Sequence, residues 1–234
     1  MKIRLFTIPN LLTLSNLFCG AIATTHALLL NDLTGAFCWI AIGAVFDFFD
    51  GFAARLLGHP TGIGIELDSL ADDITFGLAP GAMLFALYRQ MPGLWLGDHS
   101  GWFVFIFSMF AALRLAKFNV DGSQHVEFAG LPTPAATLFC ASLCMLSERF
   151  GILLQREWIL ALAIVMALLM ISPVRMFSLK FHGFGWRGNG IRYIFLLGCA
   201  ALLFWLREFA IPVIVALYVV ISTVRWLFVR TREE

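Results

Sequence analysis

Long uncharged, apolar runs recur along the whole chain and constrain its fold more than any other feature. A helix needs about 20 apolar residues to cross the hydrocarbon core of a bilayer. The gaps between charged residues mark candidate spans at roughly 11–30, 34–56, 68–88, 101–118, 132–147, 157–173, 191–206 and 209–228. Hydrophobic residues fill 60% of the 234 positions and leave no polar stretch large enough for a second, water-soluble core. We therefore expect one domain, residues 1–234, folded as an all-α, polytopic integral membrane bundle of about eight transmembrane helices.

The charge and the positions of the cysteines argue against a nucleic-acid-binding protein and against a cysteine metal site. The formal net charge is only +1, and no Lys/Arg cluster is interleaved with aromatic residues, so we expect no nucleic-acid partner. The five cysteines lie inside apolar runs without metal-ligand spacing, which is typical of small apolar thiols in a membrane protein.

The distribution of basic residues predicts the orientation of the chain. Only four of the 16 Lys and Arg residues, Arg89, Arg149, Arg156 and Arg207, fall on the side opposite the N-terminus. Because Lys and Arg are enriched in cytoplasmic loops, we expect both termini to be cytoplasmic, in the inner or plasma membrane of the cell.

Carboxylates collect in one short stretch, Phe46 to Asp73, which contains five Asp and one Glu. Asp47 and Asp50 fall near the cytoplasmic end of the second predicted span, and Asp68 and Asp72 at the start of the third. Consecutive spans are antiparallel, so these ends meet at one level. Residues three or four apart share a helical face, and we therefore expect all four carboxylates to converge.

Ionised groups at this depth are costly unless they are paired, and few basic residues lie near them in sequence. A divalent metal centre would resolve this, because carboxylate oxygens suit Mg²⁺ or Mn²⁺ and two such ions commonly serve displacement at phosphorus. The alternative is that the acids are solvated at a helix–loop boundary, which we favour for Glu66 and Asp73. Gly51 and Ala54 either admit a phosphate near the backbone or serve helix packing, and Arg55 either pairs a phosphate or follows the positive-inside bias.

The complete pattern resembles a known family. Asp47, Asp50, Gly51, Ala54, Arg55, Gly64, Asp68 and Asp72 occur at the spacing of the eight-residue signature of the CDP-alcohol phosphatidyltransferases, without a departure at any fixed position. The stretches IPNLLTLSNLFCG (8–20), ELDSLADDITFGLAP (66–80), ALRLAKFN (112–119) and GLPTPAA (130–136) are similar to the phosphatidylserine synthase branch.

The resemblance implies a membrane enzyme with that family's fold, acting as a homodimer at the cytoplasmic interface. It would transfer the phosphatidyl group from CDP-diacylglycerol in the membrane to L-serine and release CMP. It also implies that Asp47, Asp50 and Asp68 bind two Mg²⁺ or Mn²⁺ ions and that Asp72 is both ligand and general base. Gly51, Ala54, Arg55 and Gly64 would surround the nucleotide and its phosphates.

Further polar residues are candidates for substrate binding. Arg114 and Lys117, at the cytoplasmic end of the fourth span, could bind the serine carboxylate or a lipid phosphate, or could simply extend to the interface. Asn10, Thr13 and Asn16 repeat every three residues and could bind the nucleotide, or could serve capping and interhelical hydrogen bonds.

Three other functions compete with this interpretation. Intramembrane carboxylates also mark cation pathways, but a transporter predicts acids spread through the depth of the membrane rather than at one level. A non-catalytic scaffold would not require this spacing. The same chemistry with another acceptor, glycerol phosphate or inositol phosphate, or with an ether-lipid donor, remains open.

Overall fold

The protein is helical through most of its length. A computed structural model describes residues 5–57, 62–120, 128–176 and 190–230. The α-helices are α1 (Ile8–Thr25), α2 (Leu33–Leu56), α3 (Gly62–Asp72), α4 (Ala79–Gln90), α5 (Ile106–Val120), α6 (Thr133–Phe150), α7 (Arg156–Ile171), α8 (Gly190–Leu206) and α9 (Ala210–Arg230). Two π-helical segments, His26–Leu30 and Asp73–Leu78, and two 3-10 segments, Asp98–Phe105 and Arg207–Phe209, extend or join these helices.

Five helical segments among the described residues are long and apolar enough to cross a membrane. They are Ile8–Leu30, Leu33–Leu56, Gly62–Gln90, Asp98–Val120 and Phe195–Phe228. The predicted class, a polytopic helical membrane protein, is confirmed, whereas the count of eight spans stays a prediction. Several basic residues behind the predicted orientation, including Lys2, Arg4, Lys180 and Arg187, lie outside the described residues.

The first two helices form a hairpin whose turn is closed by polar caps. Asn31 adopts a left-handed conformation with φ 52° and ends the first π-helical segment. Asp32 then caps α2 by accepting a hydrogen bond from the Gly35 amide at 2.7 Å. Glu148 of α6 accepts from the amides of Leu33 and Thr34, both at 2.8 Å. The N-terminus of α2 is thereby fixed to α6.

The centre of the bundle is α4, in which every residue from Ala79 to Tyr88 is buried. A helix that is apolar on all sides belongs inside a bundle rather than at its lipid surface. Large side chains from other helices, including Phe107, Ile159 and Met170, complete this core. The second half of the third predicted span is therefore enclosed by protein.

Small residues allow α1 and α2 to approach the π-helical segment Asp73–Leu78 closely. A Cβ atom on Gly20 would lie 2.7 Å from Thr75 Cα, and one on Gly43 would lie 2.8 Å from Thr75 Cγ2. The Thr75 hydroxyl donates to the Asn16 carbonyl at 2.9 Å. This packing places α1 beside the start of the third span, where the predicted acidic residues lie.

Two short strands link the loops that flank α6 and α7. Strand β1 (Phe128–Ala129) pairs antiparallel with β2 (Arg175–Met176). Gly130 follows with φ +82°, and a Cβ atom there would clash with the Met170 carbonyl. These two-residue strands leave the all-α class unchanged.

Candidate active site

Three carboxylates from two antiparallel helices meet at one end of the bundle. Asp47 and Asp50 lie on the last turns of α2, and Asp68 lies on α3. Each offers an oxygen atom, and these three atoms all lie within 4.8 Å of one another. The i, i+3 spacing within α2 and the antiparallel entry of α3 produce this arrangement.

Asp72 joins the same group from the end of α3. Its carboxyl group lies close enough to those of Asp47 and Asp68 to interact with them electrostatically. Asn16 of α1 donates from Nδ2 to Asp72 Oδ1 at 3.1 Å. The structure therefore brings all four predicted carboxylates together, and the π-helical segment begins directly after Asp72. Such π-helical turns occur frequently at functional sites.

The three candidate residues of α1, Asn10, Thr13 and Asn16, are buried, and two of them contact carboxylates. Thr13 donates to Asp50 Oδ2 at 2.6 Å and also bonds to the Pro9 carbonyl at 3.0 Å. Asn10 instead donates to the Leu5 carbonyl at 2.9 Å. Thr13 and Asn16 thus make interhelical hydrogen bonds, the alternative that we gave to nucleotide binding, and orient two of the acids, whereas the Asn10 side chain bonds to the backbone that precedes α1.

A cleft opens beside the carboxylates, between α1, α2 and α3. It is lined by Thr7, Pro9, Asn10, Thr13, Asp50, Gly51, Ala54, Gly64, Ile65 and Asp68. No atom lies within 4 Å of the position that a Cβ on Gly51 would take. Gly51 therefore borders open space, and Ala54 and Gly64 also line the cleft. Arg55 is exposed and does not line the cleft.

The two predicted cations of α5 occupy different environments. Arg114 is buried, with 7% of its surface exposed, and donates from Nη1 to the Thr133 hydroxyl at 3.1 Å. Its guanidinium lies 5.6 Å from the centroid of the Phe118 ring. It also lies close enough to Asp72 to interact with it electrostatically. Lys117, by contrast, is exposed.

Sequence reasoning missed three residues that support this site. Thr133 at the start of α6 holds Arg114, and its position within the stretch 130–136 was the available signal. Thr75 fixes the Asn16 carbonyl. Tyr218 of α9 is buried and interacts electrostatically with Arg114, and no sequence pattern pointed to it.

Among the described residues, the four carboxylates form no ion pair within 4 Å, and Arg114 interacts electrostatically with Asp72 alone of the four. The ion pairs within 4 Å there are His26–Asp32, Arg149–Glu208 and Arg156–Asp98, all away from this group. Converging carboxylate oxygens without a bound cation are unfavourable at such depth. An all-oxygen donor set of this kind fits Mg²⁺ or Mn²⁺.

Comparison with known proteins identifies the family. Residues 6–171 match the CDP-alcohol phosphatidyltransferase family along more than two-thirds of the chain. The chain belongs to the CDP-alcohol phosphatidyltransferases. A relative from Helicobacter pylori strain 26695, named CDP-diacylglycerol–serine O-phosphatidyltransferase, is 30% identical over 97% of this chain and 94% of its own length.

Two further relatives carry the same name. The protein from Bacillus subtilis is 39% identical over 55% of this chain and 70% of its own length. The one from Methanocaldococcus jannaschii is 33% identical over 74% of each chain. The phosphatidyltransferase match contains the acidic group, the cleft, Arg114 and Thr133, whereas α8 and α9 follow its end.

Proposed function

We propose that this phosphatidyltransferase transfers the phosphatidyl group of CDP-diacylglycerol to the hydroxyl of L-serine, producing phosphatidylserine and CMP. The observation that carries the proposal is the convergence of Asp47, Asp50, Asp68 and Asp72 beside an open cleft in a chain of this family. The names of the three relatives support serine as acceptor.

We infer that the four carboxylates hold two divalent ions, Mg²⁺ or Mn²⁺. Such ions, when bound, offset the negative charge of the pyrophosphate and of departing CMP. Thr13 and Asn16 keep Asp50 and Asp72 in fixed orientations through their hydrogen bonds. This support from α1 limits rotation of the carboxylates, so that their oxygens stay directed at the same point.

The cleft is the proposed site for the CDP group. Gly51, Ala54 and Gly64 leave its walls free of bulk, and Asn10 and Thr13 form part of its lining. Arg55, exposed on the same helix as Gly51 and Ala54, is proposed to reach the phosphates from the aqueous side. The acyl chains of the donor would remain in the bilayer.

Asp72 is the proposed general base. A serine hydroxyl is a poor nucleophile at neutral pH, so a positioned carboxylate must accept its proton as attack proceeds. The hydroxyl oxygen forms a bond to the phosphatidyl phosphorus, the bond from that phosphorus to the bridging oxygen breaks, and CMP leaves with the bond electrons. The hydrogen bond from Asn16 holds Asp72 in place for this step.

Arg114 is the proposed partner of the serine carboxylate. It is buried and close to Asp72, so a carboxylate paired with it would place the serine near the base. Exposed Lys117 is better placed to attract serine or to contact lipid phosphate at the interface.

Orientation and assembly also belong to this proposal. The excess of Lys and Arg on the side of the N-terminus favours cytoplasmic termini and a cytoplasmic active site. Resemblance to the family favours a homodimer. One domain spanning residues 1–234 is supported by helices that, in the described parts of the chain, pack around a shared hydrophobic core.

The acceptor is tested directly with purified protein, CDP-diacylglycerol, Mn²⁺ or Mg²⁺, and one candidate alcohol at a time. We expect CMP release chiefly with L-serine. Release chiefly with glycerol phosphate or inositol phosphate would contradict serine as acceptor while leaving the family chemistry intact. A cation transporter would release no CMP with any alcohol.

A further inference from the structure

The turn between α4 and the 3-10 segment before α5, residues 91–97, exposes two large apolar side chains, while Met91 is buried and three backbone amides bond to one side chain of α7. Leu94 is 72% exposed and Trp95 is 77% exposed. The amides of Leu94, Trp95 and Leu96 all donate to Glu157 Oε1, at 2.9, 3.0 and 3.1 Å. In a water-exposed turn, solvent could satisfy these donors. Here one carboxylate does so.

Arg156, which precedes Glu157 at the start of α7, forms polar contacts with both ends of the same turn. Its amide donates to the Pro92 carbonyl at 3.1 Å, and its Nε donates to the Tyr88 carbonyl at 3.2 Å. Its Nη2 pairs with Asp98 Oδ1 at 2.6 Å. Polar groups before, within and after the turn are thus bonded to the first two residues of α7.

The turn lies about one bilayer thickness away from the acidic group. The helical segments from Asp72 to Gln90 rise roughly 27 Å at 1.5 Å per residue, close to the roughly 30 Å of a hydrocarbon core. Two other exposed rings lie on segments that the turn contacts, Trp102 at 63% and Trp158 at 67% exposure. Tryptophan is enriched where the bilayer meets water.

We propose that the turn 91–97 inserts Leu94 and Trp95 into the lipid leaflet opposite the acidic group, at the boundary between headgroups and acyl chains. Irregular backbone enters lipid only where protein satisfies its polar groups, and Glu157 provides that for three successive amides. Glu157 is therefore the residue that permits insertion, and bilayer lipid is the partner of Leu94, Trp95, Trp102 and Trp158.

The test measures the depth of a nitroxide label at position 94 in the full-length protein. Cys38 and Cys199, the two cysteines that are not buried, are replaced by alanine, and Leu94→Cys is labelled and reconstituted into phosphatidylethanolamine/phosphatidylglycerol vesicles. His99→Cys, at an exposed polar position nearby, is the matched control. Spin relaxation by oxygen, which concentrates in lipid, is compared with relaxation by a water-soluble nickel chelate.

We expect the ratio of oxygen to nickel accessibility at position 94 to exceed that at position 99 several-fold. Nickel accessibility at position 94 as high as at position 99 would place the turn in water and overturn the proposal. Shielding of position 94 from both reagents would also overturn it, because a protein surface, such as a second copy of the chain, would then cover the turn.

The role of Glu157 is tested in the same labelled protein. Glu157→Ala removes the acceptor of three amides, and we expect nickel accessibility at position 94 to rise several-fold as the turn moves toward water. Glu157→Gln keeps an acceptor oxygen and should retain most of the depth. Size-exclusion profile and helicity check that each variant is folded. An unchanged depth in folded Glu157→Ala would contradict the role of Glu157. Whether the turn inserts at all is decided separately, by the depth at position 94 in the protein that retains Glu157.

Discussion

Replacing Asp72 by asparagine separates its two proposed roles, metal ligand and general base. The substitution preserves the size of the side chain and one oxygen, which can still accept the hydrogen bond that Asn16 Nδ2 now donates to Oδ1 at 3.1 Å. It removes the group that accepts the serine proton. We therefore expect donor binding to survive far better than turnover.

The expected loss follows from the surroundings of Asp72. A positioned general base contributes about 10²- to 10⁴-fold in rate, which corresponds to about 2.7–5.4 kcal/mol in activation free energy. The carboxyl of Asp47 interacts electrostatically with Asp72 and remains in the variant. This neighbouring carboxylate can accept the serine proton in place of Asp72, although less efficiently. We therefore predict a loss of rate in the lower half of that range, about 10²- to 10³-fold.

The assay is CMP release at saturating serine, measured together with CDP-diacylglycerol affinity across a Mn²⁺ titration. Asp73→Asn is the matched control, because Asp73 is the next residue and its Oδ1 lies beside Gly77, 2.8 Å from the position of a Cβ there. We expect the control to remain near the wild-type rate. Near-wild-type turnover by Asp72→Asn, or full rescue by added metal, would refute the base assignment and leave Asp72 as a ligand only.

Three other changes probe the metal ligands, the topology and the packing. Asp50→Asn should weaken metal and donor binding, with excess Mn²⁺ restoring part of the CMP release; a defect that no metal concentration alters would argue against a ligand role. Gly62→Cys, at an exposed position with no atom within 4 Å of its Cβ, should react with membrane-impermeant thiol reagents only from the cytoplasmic side once other reactive thiols are removed, and labelling from outside would invert the topology. Gly20→Ala would place Cβ 2.7 Å from Thr75 Cα, so we expect a loss of about 1–3 kcal/mol in unfolding free energy, seen as a lower melting temperature in detergent; an unchanged melting temperature would show that α1 shifts without cost.

The acidic group was predictable because two simple rules define it. Residues three and four apart share a helical face, and consecutive spans run antiparallel, so Asp47, Asp50, Asp68 and Asp72 had to converge if their helices cross the membrane. The structure brings these residues together as the sequence predicted. Their proposed chemistry also follows from residue type, since a bound cation stabilises converging carboxylates in an apolar chain.

The surroundings of the acids were less predictable because they depend on helices distant in sequence. Arg114 and Lys117 lie three residues apart at the end of one helix, and the sequence offered no reason to separate them. Arg114 is buried because α6 presents Thr133 and α9 presents Tyr218 beside it, whereas Lys117 lacks such cover.

The turn 91–97 was unpredictable for the same reason. Its sequence, with Pro92 and Gly93, indicates a turn. It does not indicate that a glutamate more than 60 positions later will accept hydrogen bonds from three of the turn's amides. Local propensity defines where helices end. The partners of the polar groups at those ends come from tertiary packing.

Incorporation of labelled serine into lipid, with the divalent metal removed and then restored, tests the central claim most directly. With CDP-diacylglycerol and serine present, excess chelator should abolish formation of labelled phosphatidylserine, and added Mn²⁺ or Mg²⁺ should restore it together with an equal release of CMP. The carboxylates of Asp47, Asp50, Asp68 and Asp72 would then act as a metal centre for serine transfer. Full formation of labelled phosphatidylserine in excess chelator would contradict the metal centre, and restored CMP release without label in lipid would contradict serine as the acceptor.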